Sequence, residues 1–264
     1  LYIYKMCGIF FYKSKDDCDK TKLDIYGKRC SHRGPDNTKT HSIYYKNNYM
    51  YFMFHRLSIN GLNSGSNQPL HKNNNMLMCN GEIYNYKLLA KRYNITLESD
   101  SDCEIILHLY EFMDIDTLCN SLDGVFSFVL YDNSQKKIIM GHDPYGIRSL
   151  YFFHDKDDFG ISSEMKCLYD LNRNIEFYPP GSYSIFDIDT NNLITNKYYD
   201  LIYPVVEYDE NISIQNIRKI LNMSVEKRMI TDRPIGCLLS GGLDSSIIAS
   251  IMSKRVKNLK TFSI

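Results

Sequence analysis

Alanine is almost missing from this chain, which has it only at Ala90 and Ala249. Ile, Asn, Lys and Tyr are abundant instead. The skew reads as coding bias from an AT-rich genome, and it lowers the meaning of any single Lys, Asn or Tyr. Net charge is missing as well: 31 basic side chains balance 31 acidic ones. That balance removes any global electrostatic argument for nucleic acid or an anionic membrane as partner. No apolar run approaches the roughly 18 to 20 residues that span a bilayer, and residues 1–6 are too short for a secretory signal. None of the eight cysteines lies in a Cys-x-x-Cys pair, so a zinc site has little support. Without a secretory signal the thiols are expected to be reduced, in a cytoplasmic setting, and mostly to serve as small buried hydrophobes. No internal repeat is visible. What is present is 264 residues, 44% hydrophobic and 13% aromatic. That is enough for one large domain or two modest ones, and too apolar for wholesale disorder.

From Ile9 to about Tyr199 the pattern is one of short strands broken by turns. Strands are predicted at Ile43–Tyr45, Tyr51–Phe54, Asn75–Cys79, Val125–Tyr131 and Lys137–Met140. Turns are predicted at Arg33–Asp36, Asp132–Ser134 and Pro179–Gly181, with a loop tip at Asn73–Asn75. Two helices are predicted in this half. One lies near Tyr86–Tyr93. The other follows Asp100–Asp102 and carries Ile105, Ile106, Leu109 and Phe112 on one side, with Asp102 as its N-cap. After about Leu201 the pattern changes. Tyr203–Asp209 reads as a linker, and Ile214, Ile217, Ile220, Leu221 and Val225 recur at helical spacing. A strand at Ile235–Leu239, a glycine turn, a helix at Ser245–Ser253 and a strand at Thr261–Ile264 make a β-loop-α-β unit, the signature of a parallel sheet. Two parallel strands do not stand alone, so this second part is expected to be the opening of a larger domain.

Two constellations carry chemistry. Cys7 follows Met6 directly. If Met6 is removed, one residue holds both a thiol and a free α-amine, which titrates near ~7.7–8.0 and suits a general base. A buried Cys opening a core strand is the plainer alternative. The second constellation, Ser240-Gly241-Gly242-Leu243-Asp244-Ser245, sits between a strand and a helix. Small residues there let backbone N–H groups approach phosphate oxygens, helped by the partial positive charge of the helix N-terminus. No Gly-Lys-Ser/Thr ending is present, so the loop is not of the Walker type. It is similar to the pyrophosphate loop of ATP pyrophosphatases.

A longer series sets these two in context. In order it comprises Cys7-Gly8-Ile9, His32-Arg33-Gly34-Pro35-Asp36, His55-Arg56-Leu57-Ser58-Ile59, Asn80-Gly81-Glu82-Ile83-Tyr84-Asn85 and Ser101-Asp102-Cys103-Glu104. It continues with Leu122–Phe126, Asp143-Pro144-Tyr145-Gly146-Ile147-Arg148, Ser163–Lys166, Pro179–Gly181 and Ser240–Ser246. On these residues the chain resembles the class II glutamine amidotransferases, and within them the glutamine-hydrolysing asparagine synthetases.

The resemblance implies an α+β N-terminal nucleophile glutaminase, an antiparallel β-sheet sandwich with flanking helices, over residues 7–200. A linker at 201–211 and the truncated start of an α/β doubly wound ATP pyrophosphatase domain at 212–264 follow. It implies Cys7 as nucleophile and base, with the Asn80 side-chain amide and the Gly81 N–H as oxyanion hole. Arg56 is the expected ligand of the glutamine α-carboxylate, since a planar guanidinium fits a carboxylate with two hydrogen bonds. Leu57, Ser58, Ile59 and Asn60 are expected to offer backbone contacts beside it. Asp102 is the expected partner of the α-ammonium, with Glu82 close by. In the second domain Leu239, Ser240, Gly241, Gly242, Asp244, Ser245 and Ile264 are expected to hold ATP, with Asp244 acting through Mg2+. The implied substrates are glutamine, aspartate and ATP, with β-aspartyl-AMP as the activated acid. The glutaminase half needs no cofactor, and a homodimer is compatible with the reading.

On bare residues, Asn80-Gly81 also reads as a hairpin turn and Arg56 as a surface charge at a strand end. The His32–Asp36 run reads as a loop shaping the glutamine pocket, with no acid–base role for His32, and His55 as a structural histidine. Ser149 departs from the proline frequent at its position. The residues before Cys7 depart as well, and glutaminase activity is expected to require their removal. Other amidotransferases making phosphoribosylamine or glucosamine phosphate lack a pyrophosphate loop, and β-lactam synthetase relatives usually lack the cysteine. A glutamine- or nucleotide-binding homologue without turnover is the remaining alternative.

Overall fold

The computed structural model describes residues 6–15, 18–172, 174–201 and 209–263. The chain forms two compact units, Leu1–Asp200 and Leu201–Ile264.

The first unit contains two six-stranded sheets. One has the order β10-β8-β9-β1-β3-β2, built from β1 (Gly8–Ser14), β2 (Asn37–Tyr45), β3 (Asn48–Arg56), β8 (Tyr151–His154), β9 (Phe159–Ser162) and β10 (Glu176–Phe177). The other has the order β12-β11-β7-β6-β5-β4. Its strands are β4 (Leu70–Lys72), β5 (Asn75–Ile83), β6 (Gly124–Asp132), β7 (Lys137–His142), β11 (Ser182–Asp187) and β12 (Asn192–Lys197). Every pairing in both sheets is antiparallel.

Strand alternation explains the layering. On β1, Ile9 and Phe11 join Met76, Met78, Val129 and Met140 of the other sheet in one core between the sheets. Phe10 and Tyr12 point the other way and pack with Leu23 and Cys30, beneath α1 (Lys20–Lys28). On β5, Leu77 and Cys79 pack outward with Leu89, Ile106 and Leu118. Those residues belong to α2 (Tyr86–Arg92), α3 (Ile105–Tyr110) and α4 (Ile115–Ser121). Both faces of the central strands are therefore covered, which is why all of β1 is buried. Truncating a fully buried ring such as Phe11 in such a core costs about 3–5 kcal/mol.

The strands predicted in this half all lie within β2, β3, β5, β6 and β7; the predicted turn at Asp132–Ser134 joins β6 to β7, Arg33–Asp36 leads into β2 and Pro179–Gly181 into β11. Asn73 and Asn74 sit at positive φ, 47° and 67°, at the tip between β4 and β5; Asn75 already belongs to the strand. Two helices were not anticipated. α1 buries only Leu23 and Gly27, too narrow a stripe to show periodicity. α4 is seven residues long and is capped by Asp114, which accepts the Thr117 N–H at 2.9 Å. The helix predicted to start at Asp102 begins at Ile105, after a 3-10 turn at Asp102–Glu104. Phe112 falls beyond its end and is exposed.

The second unit holds α5 (Glu210–Lys227), β13 (Gly236–Leu238), α6 (Leu243–Ser253) and β14 (Lys260–Phe262). β13 and β14 pair in parallel, as the β-loop-α-β pattern predicts. Val225, Cys237, Ile251 and Met252 form its small core. Ile214, Ile217 and Ile220 are exposed, although their spacing is helical. The predicted linker at Tyr203–Asp209 lies outside the described residues apart from Asp209, which caps α5 by accepting the Ile212 N–H at 3.0 Å. Ile264 also lies outside them. Among the described residues no helix is long and apolar enough to cross a membrane.

Candidate active site

Alternation also decides what meets at one end of the sandwich. Cys7 continues the inward-facing series of Ile9 and Phe11 and packs against the core between the sheets. Asn80 continues the inward-facing series of Met76 and Met78. Strands from opposite sheets thus deliver a thiol and a carboxamide to one pocket, lined by both together with Arg56, Gly81, Glu82 and Asp102. Asn80 and Gly81 lie inside β5, paired with Ser127 and Phe126 of β6. The hairpin-turn alternative for Asn-Gly does not hold, because the strand runs on to Ile83. Glycine is required at position 81 by close approach: a Cβ there lies 2.2 Å from the Val125 carbonyl oxygen and 2.6 Å from Phe126 Cα.

The Asn80 side chain is 1% exposed and its Nδ2 has no partner. A buried NH2 left without an acceptor costs about 1–3 kcal/mol. Asn80 is among the residues that line the pocket. The Gly81 N–H joins it by strand geometry, since alternate residues of a strand turn their N–H groups to opposite edges. Cys79 N–H is taken by Gln68 at 2.6 Å and Ile83 N–H by Asp102 at 2.7 Å. Gly81, between them, faces the same edge.

Cys7 is held from both sides. The Leu57 N–H donates to its Sγ at 3.3 Å, and Arg33 Nε donates to its carbonyl oxygen at 2.8 Å. Burial pushes the Cys7 thiol up to about 11, against smaller lowering effects of the Leu57 N–H, Arg148 and Arg56. At neutral pH the sulfur is therefore protonated. It needs a base at the moment of attack. Met6 lies beside Cys7, its sulfur against the Arg148 guanidinium.

Asp102 is buried and does not cap a helix. The cap position of its 3-10 turn is Ser101, which makes no side-chain cap bond. Desolvation raises its carboxyl from the ordinary 3.8 to about 6, opposed by the Ile83 N–H and reinforced by Glu82. Arg56 is 4% exposed, so the surface-charge alternative fails. Its terminal nitrogens donate to the carbonyls of Asn60 at 3.1 Å, Gly61, and Asn63 at 3.1 Å, and to Asn67 Oδ1 at 2.7 Å. Those four bonds use all four terminal N–H groups. Arg56 folds the 60–67 loop around itself and lines the pocket, with no terminal N–H left for the two-bond grip on a carboxylate expected of it. Leu57, Ile59 and Asn60 line the pocket. Ser58 does not; its N–H donates to Asp36 at 2.8 Å.

The remaining pieces are supports. His55 lies buried between Thr38 Oγ1 at 2.8 Å and the Gly27 carbonyl at 3.0 Å. A carbonyl only accepts, so Nε2 carries the proton and Nδ1 accepts from the threonine. Burial lowers its pKa, and the imidazole is neutral and structural. His32 is exposed and lies 3.1 Å from Glu164. The Asp143 carboxylate accepts four backbone N–H groups, of Phe126, Tyr145, Ile147 and Arg148 at 3.0–3.2 Å. It thereby shapes the loop that brings Arg148 to the pocket. Sequence reasoning assigned no role to Arg33, Gln68 or Arg148. Arg33 and Arg148 stood inside motifs already noted, and Gln68 carried only the signal of a polar residue before Pro69.

In the second unit, Ser240–Gly242 follow β13 at the end where parallel strands favour ligands. Gly241 sits at φ 84° with nothing within 4 Å of where a Cβ would stand. Gly242 caps α6. Ser240 and Ser245 hydroxyls lie 3.1 Å apart, Asp244 occupies the first turn, and Leu239 extends the parallel pairing by donating to Phe262 at 2.8 Å. Among the described residues no group of three His, Cys, Asp or Glu side chains is placed to hold a metal ion.

The chain is 35% identical to the rat and human proteins named asparagine synthetase [glutamine-hydrolyzing], over 98% of its own length and 51% of theirs. It is 35% identical to a probable asparagine synthetase of Acanthamoeba polyphaga mimivirus, over 98% of this chain and 52% of that one. The chain thus spans about half the length of these relatives. Two solved structures share its fold. They are an allosteric regulatory enzyme of purine biosynthesis (TM-score 0.60, 17% identity, 97% of this chain and 65% of that one) and a B. subtilis glutamine phosphoribosylpyrophosphate amidotransferase (TM-score 0.59, 16% identity, the same coverage). The family model for asparagine synthase matches residues 216–264. The model for the glutamine amidotransferase domain matches residues 6–199, nearly the whole first unit, and the chain belongs to that family.

Proposed function

We propose that the first unit hydrolyses the side-chain amide of glutamine at Cys7, as the glutaminase part of an asparagine-forming enzyme. One observation carries the reading: an unpartnered, buried Asn80 carboxamide on β5 shares a pocket with the Cys7 thiol at the start of β1. When the polypeptide opens at Cys7, its α-amine takes the thiol proton as sulfur attacks the amide carbon. The carbonyl oxygen becomes an oxyanion between Asn80 Nδ2 and the Gly81 N–H, and each such donor is worth about 2.7–4 kcal/mol. The ammonium of Cys7 returns the proton to the leaving nitrogen, and ammonia departs from a thioester. Water, deprotonated by the same amine, then frees glutamate and restores the thiol. Asp102, with Glu82 beside it, holds the α-ammonium. The Arg56 charge and the loop backbone at Leu57–Asn60 hold the α-carboxylate.

The second reaction, amidation of aspartate, is proposed for the protein to which residues 212–264 contribute. Support comes from the order of the two family matches and from the names of the relatives. The open, small-residue loop ahead of α6 fits a nucleotide triphosphate: Ser240, Gly241, Gly242 and Ser245 would hold its phosphates, Leu239 its base, and Asp244 an accompanying Mg2+. ATP supplies the activation of the carboxylate there. A cytoplasmic setting fits eight free thiols.

The test is a glutaminase assay on the full-length protein, with its N-terminus read by mass spectrometry. Protein beginning at Cys7 is expected to release glutamate from glutamine, and Cys7→Ala to release none above background. Substantial hydrolysis by Cys7→Ala, or by protein that keeps residues before Cys7, refutes the mechanism.

A further inference from the structure

We infer that Gln68 is a positioning residue for the oxyanion donors; the inference rests on the glutaminase reading above. The β4–β5 register sets Leu70 opposite Leu77 and His71 opposite Met76. Continued backwards it sets Pro69 opposite Met78, Gln68 opposite Cys79 and Ser66 opposite Gly81. Proline has no N–H to give a ladder, and β4 begins only at Leu70. The side chain of Gln68 takes over where the ladder is missing. Its Oε1 accepts the Cys79 N–H at 2.6 Å and its Nε2 donates to the Cys79 carbonyl at 3.0 Å. A side-chain amide thus does for Cys79 what a neighbouring peptide group does elsewhere along β5. Gln68 is 5% exposed, so both bonds are shielded from competing water.

The substitution has two consequences for the pocket. Cys79 is fixed one residue before Asn80 and two before Gly81, and Asp102 fixes Ile83 two residues after it. The donor pair is therefore held at both ends along an edge that β4 no longer covers. That edge also stays open. A backbone strand continued through the same register would lie along Gly81 and take its N–H. The Gln68 carboxamide ends after one residue and leaves that donor for the substrate oxygen. Donor aim is sensitive to displacement, and an error of about 1 Å costs roughly 10^2-fold in rate.

The test uses the full-length protein beginning at Cys7, with Gln68→Met, which loses both bonds, and Gln68→Glu at pH 8, which sets an anionic oxygen against the Cys79 carbonyl. Expected is a 10- to 100-fold fall in kcat for glutamine hydrolysis in both variants, with KM for glutamine within threefold of wild type. The rate at which iodoacetamide alkylates Cys7, a reaction that needs no oxyanion donor, is expected to stay within twofold. If Gln68→Met is insoluble, the isosteric Gln68→Glu decides alone. A kcat within threefold of wild type overturns the inference. So does a loss of kcat matched by an equal change in alkylation rate, which marks general loosening of the fold. Wild-type protein that releases no glutamate from glutamine overturns the parent reading and this inference together.

Discussion

Replacing Asp102 by asparagine separates what the residue does for binding from what it does to stability. Its carboxyl is raised from 3.8 to about 6, chiefly by burial. Between those values the folded protein holds a proton that the unfolded chain releases. The resulting penalty is absent below pH 3.8, grows as pH rises, and is complete above pH 6. Its full size is about 3 kcal/mol, and about half of it is already present at pH 5. Asparagine removes the charge and keeps an oxygen for the Ile83 N–H, but turns the other acceptor into an NH2, a loss of about 1 kcal/mol. Asp102→Asn is therefore expected to be more stable than wild type by about 2 kcal/mol at pH 8, with most of that gain gone at pH 5. Urea denaturation at the two pH values measures this. Binding moves the opposite way: a charge-assisted bond to the substrate ammonium is worth about 1.5–3 kcal/mol, so KM for glutamine is expected to rise roughly 10- to 100-fold. Wild-type KM is expected to climb as pH falls through 6, and that of the variant to stay flat. A variant less stable than wild type at pH 8, or one with unchanged KM, refutes the account of this carboxylate.

Asn80→Ala is expected to lower kcat for glutamine hydrolysis by about 10^2–10^3, with KM within a few-fold, in steady-state assays. Gly81→Ala sets a methyl 2.2 Å from the Val125 oxygen, and is expected to part β5 from β6, abolishing glutamate release and lowering the melting temperature by several degrees. His55→Gln is expected to destabilise the protein, because it disturbs the bonds to Thr38 and Gly27. It is expected to leave the pH profile of kcat in the same place, since His55 transfers no proton.

β2, β3, β5, β6 and β7 were legible because most of their apolar residues alternate or run unbroken, and because Asn, Gly and Pro punctuate them; the short β4 and β8–β12 were not placed. α1 and α4 were not: the first hides too little, and the second is too short for a period to emerge. Cys7, Asn80 and Asp102 could be named from motifs. Their surroundings could not. Nothing local in Arg56-Leu57-Ser58 tells that the guanidinium curls into its own loop, or that Ser58 turns away toward Asp36. Bonds that link residues far apart in the chain, such as Arg33 to Cys7 and Leu57 to Cys7, depend on sheet order and register, which periodicity does not encode.

Polypeptide ends ordinarily fray. β1 lies in the interior of its sheet, with β9 on one side and β3 on the other, and Arg33 grips the carbonyl of the residue just ahead of it. Shaking Cys7 loose therefore means unzipping two ladders at once, so amide protons of Ile9 through Tyr12 belong among the slowest in the molecule to exchange with deuterium. Trimming or lengthening what comes before changes the chemistry of the nitrogen while the sulfur stays moored.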